Sequence, residues 1–373
     1  MSLKNLKVAL VCDWLTNPGG AEKVVVALHE LFPHAPIYTS IADRQKIKGL
    51  EKAVIHTSSL QHYPWAKKKY QFYLGLMPQA FEKFDLSGYD LVISSSHSCA
   101  KGIITKPRTL HISYCHSPMR YAWENSHSYI QEYEVNSSVK KIAPFFMHKI
   151  RIWDRLSADR VDYFIANSKH IQNRIHKYYR RPSSVIYPFV DYKNFQNYRR
   201  SSEDFFLAVG RLTPYKRFDL IIDAFNALGL PLKIVGTGVG YQKLRARAEK
   251  NIEFLGFVSN DKLAELYSRA RGLVFPQIED FGITPLEAMA SGCPVIAFKK
   301  GGALETIVDK KSGIFFEEQN TASLKAAIEK FTKMDFDTQE VKAQAKKFDR
   351  AVFDDKMLDF IGRKWEKWQE EMV

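Results

Sequence analysis

Residues 272–298, GLVFPQIEDFGITPLEAMASGCPVIAF, decide how this chain folds. An apolar run, GLVF, ends at a loop carrying Glu279, Asp280, Phe281 and Gly282. A helix is predicted to open at Thr284-Pro285 and to stop at Gly292, and a second apolar run, PVIAF, follows at 294–298. Proline suits the first helical position because it has no N–H to leave unpaired there, and glycine suits the residue just past the last turn. A strand, a helix and a strand in so short a span form a βαβ unit, whose crossover makes the two strands parallel.

The same alternation extends in both directions. Residues 6–12 (LKVALVC), 90–95 (DLVISS), 110–115 (LHISYC) and 161–166 (VDYFIA) read as buried strands. A second series begins at 205–210 (FFLAVG) and continues at 232–236 (LKIVG), 252–255 (IEFL), 272–275 and 294–298. Near-continuous apolar strands separated by helices argue for parallel sheets covered on both faces. Two such series in 373 residues predict an α/β protein of two doubly wound, Rossmann-like domains. The polar, aromatic stretch 186–204 separates them, giving an N-terminal domain over 1–190 and a C-terminal domain over 191–352. A last helix, about 353–373, would carry Phe353, Leu358, Ile361, Trp365 and Trp368 on one face. Crossing back onto the first domain is the sharper expectation for it; core packing within the second is the plainer one.

With 45% apolar and 26% charged residues, the composition excludes a disordered, collagenous or coiled-coil chain. The net charge of +14 invites a nucleic-acid, anionic-membrane or acidic-substrate reading. It is unevenly placed: residues 1–190 hold 26 basic and 14 acidic residues, whereas 191–373 hold 29 and 27. Cys12, Cys99, Cys115 and Cys293 lack CxxC spacing and lie in or beside apolar runs, so they read as reduced, buried thiols of a cytosolic protein. The N-terminal apolar run is short and broken by Asp13, which makes it a first strand, not a leader peptide. No stretch approaches 18 uncharged apolar residues, so no membrane span is expected.

Four segments carry chemistry. In 275–292 the helix start and the carboxylates Glu279 and Glu287 follow a strand end, a place suited to a phosphate and a hydroxylated ligand. Glu287 has a second reading, since Thr284-Pro285-Leu286-Glu287 has the T-x-x-E form of a capping box. In 205–219, FFLAVGRLTPYKRFD, Arg211 and Lys216 sit where Thr213-Pro214 would open a helix. Two cations there can hold a diphosphate and stabilise it as a leaving group, or be ordinary solvated charges. Gly19-Gly20, after the first strand, lets backbone approach an anionic ligand or makes a turn. His116, in Tyr114-Cys115-His116-Ser117-Pro118, ends a strand and can face a ligand or serve structure. Gly236, Gly238 and Gly240 imitate a dinucleotide fingerprint, but Tyr241 stands where its third glycine belongs. Asp335-Phe336-Asp337 has the form of a metal-nucleotide site yet lies in a hydrophilic helical region, and reads as a solvated face.

Taken together, the Gly-Gly loop, the strand-end histidine, GRLTPYKRFD and the E-x7-E spacing of EDFGITPLE resemble the retaining glycosyltransferases of family 4. YCHSPMRYAWE at 114–124 and PQIEDFGITPLEAMASGCPVIA at 276–297 resemble the GDP-mannose-dependent mannosyltransferases of O-antigen and exopolysaccharide synthesis within it. The resemblance implies the GT-B fold, with an N-terminal acceptor-binding domain and a C-terminal nucleotide-sugar-binding domain facing a cleft. It implies that Arg211 and Lys216 hold the donor diphosphate and Glu287 the ribose. Glu279 would hold the donor sugar with the backbone of Asp280, Phe281, Gly282 and Ile283. Gly19 and Gly20 would lie against the donor phosphates and His116 beside the sugar, with the base near Gly236, Gly238, Phe257 and Val258. No metal and no cofactor are implied, and the acceptor would be a saccharide or a polyprenyl-linked glycolipid.

Residues 65–84 and 139–155 interleave basic with large apolar and aromatic side chains. On helices this pattern suits an anionic membrane surface, or a core-packed helix with a solvated basic face. A cytoplasmic protein, peripheral on the inner face of the cell membrane, is therefore expected. Two other classes compete: a basic nucleic-acid-binding protein, disfavoured because no such module is recognisable, and a sugar-nucleotide oxidoreductase or epimerase, disfavoured by the incomplete glycine fingerprint.

Overall fold

A computed structural model describes residues 3–124, 137–196 and 198–372, with side chains from 144 onward in the helix that begins at Ser137. The chain forms two compact units, Met1–Ile186 with Asp354–Val373, and Tyr187–Phe353.

The first unit holds a seven-stranded sheet of β1 (Val8–Cys12), β2 (Ile37–Thr39), β3 (Ile55–Thr57), β4 (Leu91–Ser96), β5 (Leu110–Cys115), β6 (Tyr163–Ala166) and β7 (Ser183–Val185). Its order is β3-β2-β1-β4-β5-β6-β7 and every pair is parallel. All residues of β1, β4 and β5 are buried, as an all-parallel sheet with both faces covered requires. The second unit holds β8 (Phe206–Val209), β9 (Leu232–Val235), β10 (Ile252–Gly256), β11 (Gly272–Phe275), β12 (Val295–Phe298) and β13 (Gly313–Phe316). These are again parallel, in the order β10-β9-β8-β11-β12-β13. Alternate residues feed two cores: Leu207, Leu273, Phe275 and Val295 one, and Phe206, Val274, Ile296 and Phe298 the other. That is the period-2 signature of one sheet packed on both sides.

Both sheets are doubly wound. Strand order reverses between β1 and β4 in the first unit and between β8 and β11 in the second, so a crevice opens at the carboxyl ends of those pairs. The strands β2, β3, β7 and β13 have no counterpart among the sequence-predicted ones; three of them are three residues long, too short for an apolar period to register.

The helix Arg350–Glu371 runs from the second unit into the first. Within the first unit, Trp368 Nε1 donates to Arg108 O at 3.3 Å and Lys364 lies 4.3 Å from the centre of the Tyr163 ring. The inward face differs from the expected one. Met357 and Phe360 are buried with Phe353, Ile361 and Trp365, while Leu358 is exposed. Among the described residues no helix is long and apolar enough to cross a membrane, and Cys12, Cys99, Cys115 and Cys293 are all buried free thiols.

Candidate active site

In the second unit the site grows from the ends of β8 and β11. After β8, Gly210 takes a φ of +155°, Arg211 is exposed, and Pro214–Lys216 makes a single 3-10 turn. The helix predicted to open at Thr213-Pro214 begins only at Phe218, because Arg217 stands in the left-handed region at φ 55° between turn and helix. This break turns Lys216 toward β11, where its Nζ pairs with Glu279 Oε1. The pair is mostly shielded, with side chains 13% and 18% exposed.

The loop after β11 is held by its backbone and by one ring. Gly302 N donates to Glu279 O at 2.9 Å. A Cβ on Gly302 would lie 2.2 Å from Phe281 O, and one on Gly301 2.5 Å from Glu279 O. Only glycine lets the chain after β12 lie so close beneath the loop. Phe281 is buried, stacked on Tyr187 with ring centres 5.5 Å apart and 5.6 Å from Phe348. Its side chain is thus a core anchor, and what Glu279 to Gly282 can present to a ligand is backbone and carboxylate.

The helix Ile283–Ala290 starts from Gly282, at φ +91°, with no side-chain cap. Thr284 is therefore its second residue, Pro285 its third and Glu287 its fifth, so the T-x-x-E capping box is not formed and Pro285 is not at the first position. Proline is tolerated at this point because N–H groups of the first turn have no intrahelical acceptor. Half-buried Glu287 belongs to a different environment: after burial itself, its charge is what pushes the fully buried Tyr267 phenol well above its usual range. Among the described residues the Tyr267 hydroxyl has no hydrogen-bond partner.

The glycines after β9 have a structural explanation. Gly236 has φ +139°, and a Cβ there would fall 1.9 Å from Gly210 O; one on Gly238 would meet Leu212 N and O at 2.7 Å. Leu212 N donates to Thr237 O at 3.0 Å and Gly240 N to Leu212 O at 3.0 Å. The loop after β9 thus lies directly on the loop that carries Arg211. At the end of β10, Phe257 is 86% exposed, whereas Val258 packs against the core. Asp335-Phe336-Asp337 is no solvated helix face: Asp337 caps the helix Thr338–Lys346, accepting from Gln339 N at 2.7 Å.

In the first unit, Gly19 caps the helix Gly20–Leu31 in an extended conformation, and both glycines are exposed. His116, just past β5, is buried with its Nε2 2.8 Å from Ser95 Oγ, and burial followed by the neighbouring His97 lowers its pKa to about 3. It is a neutral imidazole at any physiological pH. Beside it lies a feature the sequence reading passed over. Asp13, at the end of β1, is buried and accepts from His97 N at 2.7 Å, Ser98 N at 2.9 Å and Ala100 N at 2.7 Å. His97 Nδ1 is 3.2 Å from the same carboxylate, and the His97 ring packs edge-on to Trp14 at 4.6 Å and lies 6.3 Å from the His116 ring. Asp13 therefore ties the ends of β1 and β4 together at the switch point. The signal was present as a lone acid closing a wholly apolar strand, where burial demands several donors.

Comparison with known proteins follows the same division. The sequence profile of Glycosyltransferase Family 4 matches residues 18–194, and that of Glycosyl transferases group 1 matches residues 191–348. An uncharacterized glycosyltransferase of Methanocaldococcus jannaschii is 32% identical over 185 residues, 48% of this chain and 52% of that protein. The O-antigen chain mannosyltransferase RfbU of Salmonella typhimurium is 32% identical over 179 residues, 43% of this chain and 50% of that one. The chain thus spans about half the length of these curated relatives. Among solved structures, Anabaena HepE in complex with UDP and glucose superposes with a TM-score of 0.67 at 18% identity, covering 96% of this chain and 100% of that one.

Proposed function

Because the chain belongs to family 4 of the glycosyltransferases and has the two parallel-sheet α/β domains of the GT-B fold, we propose that it transfers a hexose, mannose from GDP-mannose, to a saccharide or polyprenyl-linked saccharide acceptor with retention of anomeric configuration. The observation that carries the reading is the convergence of Lys216, Glu279 and a helix start without a side-chain cap at the switch point between β8 and β11. Mannose as the transferred sugar is supported by the mannosyltransferase relatives.

In this reading Lys216 and Arg211 meet the donor diphosphate. Negative charge grows on that group as the glycosidic bond breaks, so cations fixed beside it stabilise the transition state more than the ground state, without a metal ion. Glu279 and the backbone N–H groups of 280–283 hold the sugar, and Glu287 accepts from the ribose. Gly19 and Gly20 leave room for phosphate at a helix start. His116 offers a hydrogen bond from a neutral ring and not a positive charge, since burial and the neighbouring His97 keep it unprotonated. The leaving phosphate takes the acceptor's proton, so no enzyme nucleophile is required.

A thermal-shift series with GDP, UDP and ADP tests the donor. A ligand at about 100 times its Kd stabilises the folded state by about 2.7 kcal/mol, so GDP should raise the melting temperature more than the other two. Equal shifts would remove the guanine assignment. NMR of the product anomer tests retention, and unchanged turnover in chelator tests the metal-free account.

A further inference from the structure

We infer that His97 is a further substrate-contacting residue, held by Asp13 so that its Nε2 accepts a hydrogen bond from a hydroxyl of the acceptor sugar. The inference rests on the transferase reading and adds to it a side chain that the reading does not use.

Asp13 fixes His97 twice. Its carboxylate accepts from the backbone N–H of His97 at 2.7 Å, of Ser98 at 2.9 Å and of Ala100 at 2.7 Å, which sets the loop that leaves β4. The same carboxylate stands 3.2 Å from His97 Nδ1. That contact is too poorly aligned to be a hydrogen bond, so what it supplies is charge. A negative charge beside Nδ1 favours a proton there and disfavours a lone pair, which leaves the lone pair of the neutral ring on Nε2. Exposure divides the side chain in the same way. Asp13 and Nδ1 are buried, yet the His97 side chain is 30% exposed, so its open part lies away from Asp13. Among the described residues no group hydrogen-bonds to His97 Nε2. His116, 6.3 Å away between ring centres, differs in this respect, because its Nε2 is taken by Ser95 Oγ at 2.8 Å.

The surroundings select the class of ligand. A lone pair backed by a carboxylate repels an anion and suits a donor, so its partner is a hydroxyl and not a phosphate. Half-buried Trp14 packs edge-on to His97 at 4.6 Å and lies 4.4 Å from Tyr70 between ring centres. A flat apolar ring next to one hydroxyl acceptor matches a pyranose, whose C–H faces are apolar and whose rim is a row of hydroxyls. Asp13 and Trp14 follow β1 and His97 follows β4, so the group stands where the strand order of the first sheet reverses. Doubly wound sheets bind their ligands at that point. His97 orients the acceptor through this hydrogen bond and takes no proton from it, since the leaving phosphate does so in the proposed reaction. Asp13 touches no substrate and acts as a positioning residue for the imidazole.

The test is heteronuclear NMR of the full chain labelled at histidine, at about pH 8.5, above the ordinary imidazole range. The His97 signals are assigned by their loss in His97→Gln. Before any sugar is added, Nδ1 should carry the proton and Nε2 the lone pair. Titration with methyl α-D-mannopyranoside and with methyl α-D-glucopyranoside, in the presence of GDP, should move the Nε2 signal with at least one of them and the Nδ1 signal less. His97→Ala should weaken binding of that glycoside about fivefold, the share of one net hydrogen bond, and His97→Gln, whose amide oxygen can accept, should recover part of it. A proton found on Nε2, no movement of the His97 signals with either glycoside, or equal glycoside affinity in His97→Ala and the parent would overturn the inference. The donor reading is tested apart from it: absence of a GDP-induced rise in the parent's melting temperature would remove that reading, and the glycoside titration would still decide the role of His97.

Discussion

Replacing Lys216 by methionine keeps the length of the side chain and removes its charge, which makes it the most direct probe of the proposed clamp. Lys216 and Glu279 are each less than a fifth exposed, at 13% and 18%. In such a setting the effective dielectric constant is about 20, and two unit charges about 4 Å apart interact by about 4 kcal/mol. A charge of that order develops on the leaving diphosphate, so loss of the cation should raise the barrier by about 3–4 kcal/mol and lower kcat about 100- to 1,000-fold. KM should change less, because the contact strengthens as the bond breaks. Steady-state transfer from GDP-mannose at varied donor concentration separates the two constants, and Lys216→Arg should restore part of kcat. The same substitution leaves Glu279 without its cation and should cost about 1 kcal/mol of stability, visible in urea unfolding of the free protein. A folded Lys216→Met variant whose kcat stays within about threefold of the parent would refute the clamp.

Other substitutions test the frame around the site. Asp13→Ala removes the acceptor of three backbone N–H groups at the end of β1; a loss of about 3 kcal/mol or more is expected, with faster amide exchange at 97, 98 and 100, and unchanged exchange there would count against the tie. Gly236→Ala forces a Cβ to within 1.9 Å of Gly210 O at φ +139° and should cost about 3 kcal/mol or more. Gly256→Asn, at φ +67° with open space around it, is the mild control, and urea midpoints compare the two. His111 and His116 are held neutral by burial, with pKa values lowered to about 4 and about 3. The unfolded chain takes up those protons near pH 6.5, so it binds more protons than the folded one and stability falls as pH drops below that value. At pH 5 the loss is about 2 kcal/mol per histidine, and His111→Asn should flatten the pH dependence of the unfolding midpoint by one such share.

The basic charge of the N-terminal half first suggested nucleic acid, and its placement points elsewhere. Much of it is structural: Arg174 lies buried against Ser117 and Glu124, Arg181 donates to the carbonyls of Ala158 and Val161, and Lys101 is sealed against Asp154. What remains exposed around Lys67 to Lys69 and Lys149 is interleaved with large apolar rings.

The sequence by itself determined the layered plan. A strand buried on both faces is mostly apolar, and so β1, β4, β5, β6, β8, β9, β10, β11 and β12 were visible as short apolar-rich runs, with their helices between them. It also determined the positions of Arg211, Lys216 and Glu279, since strand-end loops in such a plan fall on one edge of the sheet. What only the tertiary structure decided was how those loops meet. The left-handed Arg217 delays a helix and turns Lys216 onto Glu279, and Gly282 displaces the helix start, so that Thr284 and Glu287 form no capping box. Gly236 and Gly238 prove to be required by neighbouring backbone. Asp13 binds a loop more than eighty residues away. Each of these depends on contacts between segments distant in sequence, and local pattern carries no record of such a partner.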